Sequence, residues 1–225
     1  MGEDFGGTTS YTQWIGWATY NAWLVTGNNT HLERILPLLA NAYKTKYVQK
    51  YASSAAGKAC WWQDDGADAM EVSISGGGCR PTIASAMYAE AAAVALMAGV
   101  VGNAALETEF KAIAAANQAI VLDLHWNPAT HMFATVPTKA TSDGKGTPSA
   151  PRCNLTAARV VNSTVSVREL LGFMPWYFPG LIGNHGNTAT KYFPQWKALF
   201  DPQGLAGPWG LRSAERRDPC YNYSW

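Results

Sequence analysis

The chain has 225 residues, 48% of them hydrophobic, and a formal net charge of +1. That length holds one large domain or two small ones, with enough chain for an ordinary core. Near-neutral charge without long runs of either sign argues against a nucleic-acid partner, which would need a basic stripe. No continuous apolar run approaches the roughly 18–20 residues of a membrane span, so no membrane partner is expected. The opening Met1-Gly2-Glu3-Asp4 is acidic and has no apolar segment, so it is not a signal peptide.

The first helix is expected from about Thr8 to Val25, with Trp14, Ala18, Asn21 and Val25 at helical spacing. Gly27-Asn28-Asn29 ends it. Thr30 and Glu33 then read as a capping box opening a second helix that runs to about Tyr51. Pro37 lies inside it and should kink it or move its start later. The stretch from Cys60 to Glu71 (Cys-Trp-Trp-Gln-Asp-Asp-Gly-Ala-Asp-Ala-Met-Glu) reads as a loop, followed by a Gly-rich turn from Ser75 to Gly78. A third, Ala-rich helix is expected from about Thr82 to Val101, closed by Gly102. Asn103 can cap the fourth, which runs from about Ala104 to Trp126 along the stripe Leu106, Phe110, Ile113, Asn117, Ile120 and Leu124. Asn117 is the odd member, placed to hydrogen-bond a neighbouring helix.

Residues from Pro137 to about 166 read as a long surface loop. Short helical pieces are expected near Val167 to Met174 and Tyr192 to Phe200, and loop from Asp201 onward. No strand longer than a few residues is visible. The fold class is therefore all-α, built of consecutive helical hairpins: a bundle, a solenoid or an α/α toroid.

Four cysteines, Cys60, Cys79, Cys153 and Cys220, allow three pairings if oxidised, or are buried thiols. No Cys-x-x-Cys occurs, so no structural metal site is expected. Sequons at Asn28, Asn154, Asn162 and Asn222 favour a secretory route.

The stretch from Cys60 to Glu71 carries the chemistry. It sets Trp61 and Trp62 beside Asp64, Asp65, Asp68 and Glu71. Aromatic faces stack on sugar rings, and carboxylates hold hydroxyls and move protons. Glycosidic hydrolysis needs one carboxylic acid to protonate the leaving oxygen and a second carboxylate to activate water or attack carbon. An Asp normally titrates near 3.9, so staying protonated requires burial or neighbouring negative charge. Asp68 has Asp65 and Glu71 each three residues away. A solvated acidic loop or a helix cap would use the same residues.

The segment Trp62-Gln-Asp-Asp-Gly-Ala-Asp-Ala-Met-Glu-Val-Ser-Ile resembles the acid-bearing loop of the six-hairpin glycosidases. It is most similar to the mannosylglycerate-hydrolase-like branch related to glycoside hydrolase family 63, with trehalases more distant. Arg80-Pro-Thr-Ile-Ala-Ser-Ala-Met-Tyr-Ala-Glu-Ala resembles the inner helix after that loop. Arg168-Glu-Leu-Leu-Gly-Phe-Met-Pro-Trp-Tyr-Phe and the segment from Leu199 to Arg217 resemble later family segments in the family's order.

The resemblance implies a partial (α/α)6 toroid, about three of six helical hairpins. Residues 1–225 would be part of a catalytic domain truncated at both ends. It implies an inverting mechanism with Asp68 as general acid and the general base beyond this chain. The substrate would be an oligosaccharide or a glycosylated small molecule, and no cofactor is called for. Substrate contacts would come from Trp61, Trp62, Asp65, Glu71, Arg80, Glu169, Trp176 and Tyr177. Related enzymes often place an Arg soon after the acid. Here Ala69-Met70-Glu71 follows, and Arg80 is the candidate replacement. Glu169 reads as orienting substrate or a neighbouring arginine, and Glu215 as an ion pair with Arg216 or Arg217. The competing reading is a non-catalytic carbohydrate-binding relative.

Overall fold

A computed structural model describes residues 14–55, 57–64, 67, 73–138, 160–183 and 190–221. Helix α1 (Ile15–Thr26) ends at Gly27. The part of the expected first helix before Trp14 lies outside the described residues. Helix α2 (Asn29–Ala42) starts earlier than the Thr-x-x-Glu pattern predicts, because Asn28 is the cap: its Oδ1 accepts from the His31 N–H at 3.0 Å. With α1 ending at Thr26, only Gly27 and Asn28 lie between the helices, and Thr30 falls inside the second. Helix α2 runs through Pro37. Pro37 and Glu33 are both exposed, so the carbonyl that Pro37 cannot serve lies on the solvent side. A π-helical turn (Tyr43–Tyr47) and helix α3 (Val48–Tyr51) complete the second rod.

Helix α4 (Pro81–Val100) opens with proline at its first position, where a missing N–H costs nothing. It is long and apolar enough by composition to cross a membrane, which the sequence reading did not anticipate. However, 78% of that apolar window is buried inside the protein, so here it is the core helix. Its alanines let α1, α2 and helix α5 (Ala104–Ala119) pack closely on it. The reversal between α4 and α5 is the expected one. Gly102 takes φ +75°, a left-handed conformation suited to glycine, and the Asn103 side chain accepts from the Leu106 N–H at 3.1 Å. The fourth rod ends in a π-helical turn (Ile120–His125) rather than regular α-helix.

The last third is built of short pieces: a 3₁₀ turn (Leu170–Phe173), helix α6 (Met174–Tyr177) and a second 3₁₀ stretch (Phe193–Leu199). The largest departure from the sequence reading is a three-stranded sheet, β1 (Ala52–Ala55), β2 (Lys58–Gln63) and β3 (Gly78–Cys79), with antiparallel pairs throughout. Its Ala, Ser and Lys residues have weak strand preference, so long-range pairing rather than pattern makes it. Strands β4 (Trp126–Asn127) and β5 (Met132–Phe133), β6 (Val160–Val161) and β7 (Thr164–Val165), and β8 (Ala206–Gly207) and β9 (Gly210–Leu211) form minimal two-stranded ribbons. Most of the expected surface loop, residues 139–159, lies outside the described residues.

Candidate active site

Strands β2 and β3 hold the two ends of the acidic loop together. Gln63 pairs with Gly78 and Trp62 with Cys79, and a disulfide joins Cys60 to Cys79 with 5.9 Å between their Cα atoms. Cys220 is disulfide-bonded as well, and Cys153 lies outside the described residues. Gly78 allows the return strand to pass the Val136 carbonyl, since a Cβ there would sit 2.7 Å from that oxygen.

Among the loop carboxylates, Asp64 is half-buried. Asp65, Asp68 and Glu71 lie outside the described residues. Ala67, the residue before Asp68, is buried, and both of its backbone groups are engaged. Its N–H donates to the Asp64 carbonyl at 3.1 Å, and its carbonyl accepts from the Gln63 side-chain amide at 3.0 Å.

Arg80 and Glu169, read from the sequence as sugar contacts, have no open surface for a sugar. Arg80 is fully buried and Glu169 is 4% exposed. The Arg80 guanidinium donates to Ser73 Oγ at 3.0 Å and to the Gly76 carbonyl. Glu169 Oε1 accepts from the N–H groups of Ile74 at 2.7 Å and Ser75 at 3.4 Å. Burial pushes the Glu169 carboxyl above the usual range, opposed by the Arg80 charge and by donors at Ser75 and Ile74. Thr135 Oγ1 donates to Ser75 Oγ at 3.0 Å, extending the polar cluster under the loop.

Glu215, the other internal glutamate, accepts from Arg168 at 3.1 Å and forms an ion pair with Arg217, whose Nε lies 3.2 Å away. It is an ion-pair partner as the sequence suggests, with Arg168 as an added partner.

The aromatics divide into separate groups. Trp61 and Trp62 are half-buried on β2, beside the acidic loop. Trp61 Nε1 donates to Asn117 Oδ1 at 3.0 Å, and Asn117 donates to Tyr43 Oη at 2.7 Å and the Met87 carbonyl at 3.0 Å. Asn117 thus joins helices as its position in the stripe implies. Trp176 donates to Gln195 at 3.0 Å and stacks on Phe193. Tyr177 is 62% exposed and meets Trp14.

Sequence reasoning passed over Gln63, whose amide chemistry is invisible without the loop geometry. It also passed over Glu90, the single acid of the Ala-rich helix α4. Glu90 is 3% exposed and accepts from the Gly16 and Trp17 N–H groups, each at 2.9 Å. Being alone in an apolar helix was the available signal. Trp209, 98% exposed in the turn between β8 and β9, carried none.

Paired helices around an apolar inner helix, with a stapled acidic loop at the end that feeds it, define the class of helical-hairpin glycosidase domains. The chain belongs to the family described as "Mannosylglycerate hydrolase MGH1-like glycoside hydrolase domain", whose model matches residues 6–224. Its fold is all-α, that of part of an (α/α)6-toroid glycosidase. A solved structure named "Sialidase" matches at a TM-score of 0.73 and 26% identity, over 94% of this chain. This chain spans 17% of that protein's length. No curated protein matches.

Proposed function

We propose that the chain contributes the acid-bearing part of a glycoside hydrolase that inverts the anomeric centre. Asp68 is the general acid in this reading. The substrate is an oligosaccharide or a glycosylated small molecule, with mannosides the first class to test given the family's description. The observation that carries the reading is the family match running through the Asp68 loop, joined to the stapling of that loop onto the head of α4. Glu169 and Glu215 are committed to backbone amides and arginines, so neither is assigned as the base. Two long hairpins followed by short helices fit about three hairpins of a six-hairpin ring. Asp65, Glu71, Trp61, Trp62, Trp176 and Tyr177 are the proposed sugar contacts, with core packing sharing the role for Trp61 and Trp176.

Asp68→Asn in the protein that carries this chain should lower hydrolysis of a mannoside or oligosaccharide by about 10²–10⁴-fold, the scale of lost acid catalysis. Proton NMR of the first-formed anomer should show inversion. Near-normal turnover by the variant would sink the assignment of Asp68, and a retained anomer would sink the inverting mechanism.

The commitment of both internal glutamates also supports a second reading, a carbohydrate-binding relative without catalysis. Calorimetric sugar binding with no product over long incubation would favour it. A secretory location is proposed on the Cys60–Cys79 disulfide and on the exposure of the Asn28 and Asn162 sequons. A mass shift removed by a glycosidase specific for N-linked glycans tests this. Asn154 and Asn222 lie outside the described residues.

A further inference from the structure

A polar cavity of about 280 Å³ opens where four stretches of chain meet. Thr130 and His131 reach it from the turn between β4 and β5, Arg168 from an extended segment, Lys197 and Asp201 from the second 3₁₀ stretch and its end, and Arg217 from the last loop. Its volume has room for about nine waters, the bulk of one sugar unit. Glu169 has extended backbone, so its neighbour Arg168 points away from the side on which the Glu169 carboxylate holds Ile74 and Ser75. The cavity and that end of the acidic loop therefore lie on opposite sides of one segment.

The cations on the cavity wall are fixed in advance. Glu215, with its side chain 8% exposed, takes Arg168 Nη1 at 3.1 Å, and Arg217 Nε lies 3.2 Å from the same carboxylate oxygen. Arg168 Nε donates to the Thr130 carbonyl at 2.8 Å, and Arg217 also pairs with Asp201. A network built for stability alone would use its donors on itself. Here, among the described residues, Arg168 Nη2, Arg217 Nη1 and Lys197 Nζ have no partner, and Thr130 Oγ1 is buried with none. Arg168, Lys197 and Arg217 stand against the carboxylates of Asp201 and Glu215, which leaves a single positive charge in surplus.

We propose that this cavity binds the acidic group, carboxylate or phosphate, of a hydroxylated small molecule one sugar unit in size. Guanidinium N–H donors match an oxyanion in geometry as well as charge, Lys197 adds a point charge, and the Thr130 hydroxyl donates. Asp201 accepts hydroxyls from the body of the ligand. A bare anion would leave that acceptor unmatched, and a neutral sugar would leave the cations unmatched. The proposal stands apart from the reading of Asp68, since no residue of the site belongs to the acidic loop.

The test is calorimetric titration of the protein that carries this chain with glucuronate, glucose 6-phosphate, inorganic phosphate and glucose, so it needs no hydrolysis. At least one acidic sugar should bind about tenfold or more tightly than both glucose and inorganic phosphate, the worth of one charge-assisted hydrogen bond. Preference for glucuronate would make the group a carboxylate, and preference for glucose 6-phosphate a phosphate. Lys197→Met should weaken the preferred sugar by about 10–100-fold and Thr130→Val by about threefold. Lys197 is exposed and Thr130 half-buried, and neither side chain holds the Glu215 network, so both variants should melt like wild type. Lys44→Met, which removes a surface lysine paired with Glu109, should change nothing. Failure of both acidic sugars to bind at about 10 mM would overturn the proposal. So would equally tight binding of glucose, or binding that both site variants leave unchanged. Inorganic phosphate binding as tightly as glucose 6-phosphate would overturn the hydroxylated ligand.

Discussion

Two buried carboxylates in this molecule perform the same local task in different electrostatic settings. Glu169 gathers the N–H groups of Ile74 and Ser75 under the acidic loop, and Glu90 gathers those of Gly16 and Trp17 at the start of α1. Glu169 works beside the positive charge of Arg80. Glu90 works among tyrosines, and its charge helps burial push the Tyr47 hydroxyl up to about 12 and the Tyr43 hydroxyl up too. Burial raises Glu90 itself to about 7, against the pull of its two N–H donors. The clamp beside Arg80 holds the end of the acidic loop at Ile74 and Ser75, and the clamp that titrates near neutrality lies at a helix junction.

The sharpest way to break this comparison is to remove each carboxylate. Glu169→Ala strands the Arg80 charge in the interior, and breaking such a buried arrangement costs about 3–5 kcal/mol. Urea unfolding should show that loss. A cost below about 1 kcal/mol would mean that Arg80 is compensated without Glu169. Removing the Cys60–Cys79 disulfide by a double Ser substitution should cost about 3 kcal/mol in the same measurement, from the loop entropy its 19-residue separation restrains. That loss should leave the Glu90 junction protected in hydrogen exchange, since the staple lies at the other clamp.

Glu90 makes a prediction with a sign. Its carboxyl binds a proton more tightly folded than unfolded, moving from 4.5 to about 7. Its contribution is therefore fully present below pH 4.5 and lost as pH rises through 7, by roughly 3 kcal/mol in all. Glu90→Gln should flatten the decline in stability between those pH values. A wild-type stability that instead rises across that window would show that the α1 donors outweigh burial and hold the carboxylate ionised.

What the sequence showed and what it hid divide along range. The start of α4 at Pro81, the stop at Gly102 and the cap at Asn103 are local chemistry and stand where the residues put them. The Thr30 capping box lost to Asn28, a competition between two good caps decided by where α1 ends. In the site, the Trp-Trp and acidic run drew attention to a loop that lies within the matched family model and beside the Cys60–Cys79 disulfide. Its two clamps were hidden, because Glu169 lies 95 residues from Ile74 and the Gln63 bond exists only once the turn at Ala67 closes. Arg80 carried a signal, a charge heading an apolar helix, but that signal does not say whether the guanidinium faces sugar or loop.

The smallest effect tests the difference between capping a helix from within its own chain segment and capping it from another helix. Asn103→Ala removes a local cap from α5 and should cost about 1 kcal/mol, the same at pH 5 and pH 8, because no titrating group takes part. Gly16→Ala attacks the other arrangement. A Cβ at Gly16 would sit 2.8 Å from Glu90 Oε2, so the carboxylate must retreat from the α1 donors. Alanine raises intrinsic helix preference by up to about 1 kcal/mol, which offsets part of that loss. The net change at any one pH is therefore small, and the informative quantity is its pH dependence. A retreating carboxylate loses the N–H donors that favour its charged form, so the Gly16→Ala penalty should grow as pH rises from 5 to 8. A penalty constant across that range would mean that Glu90 stays in place and α1 shifts instead.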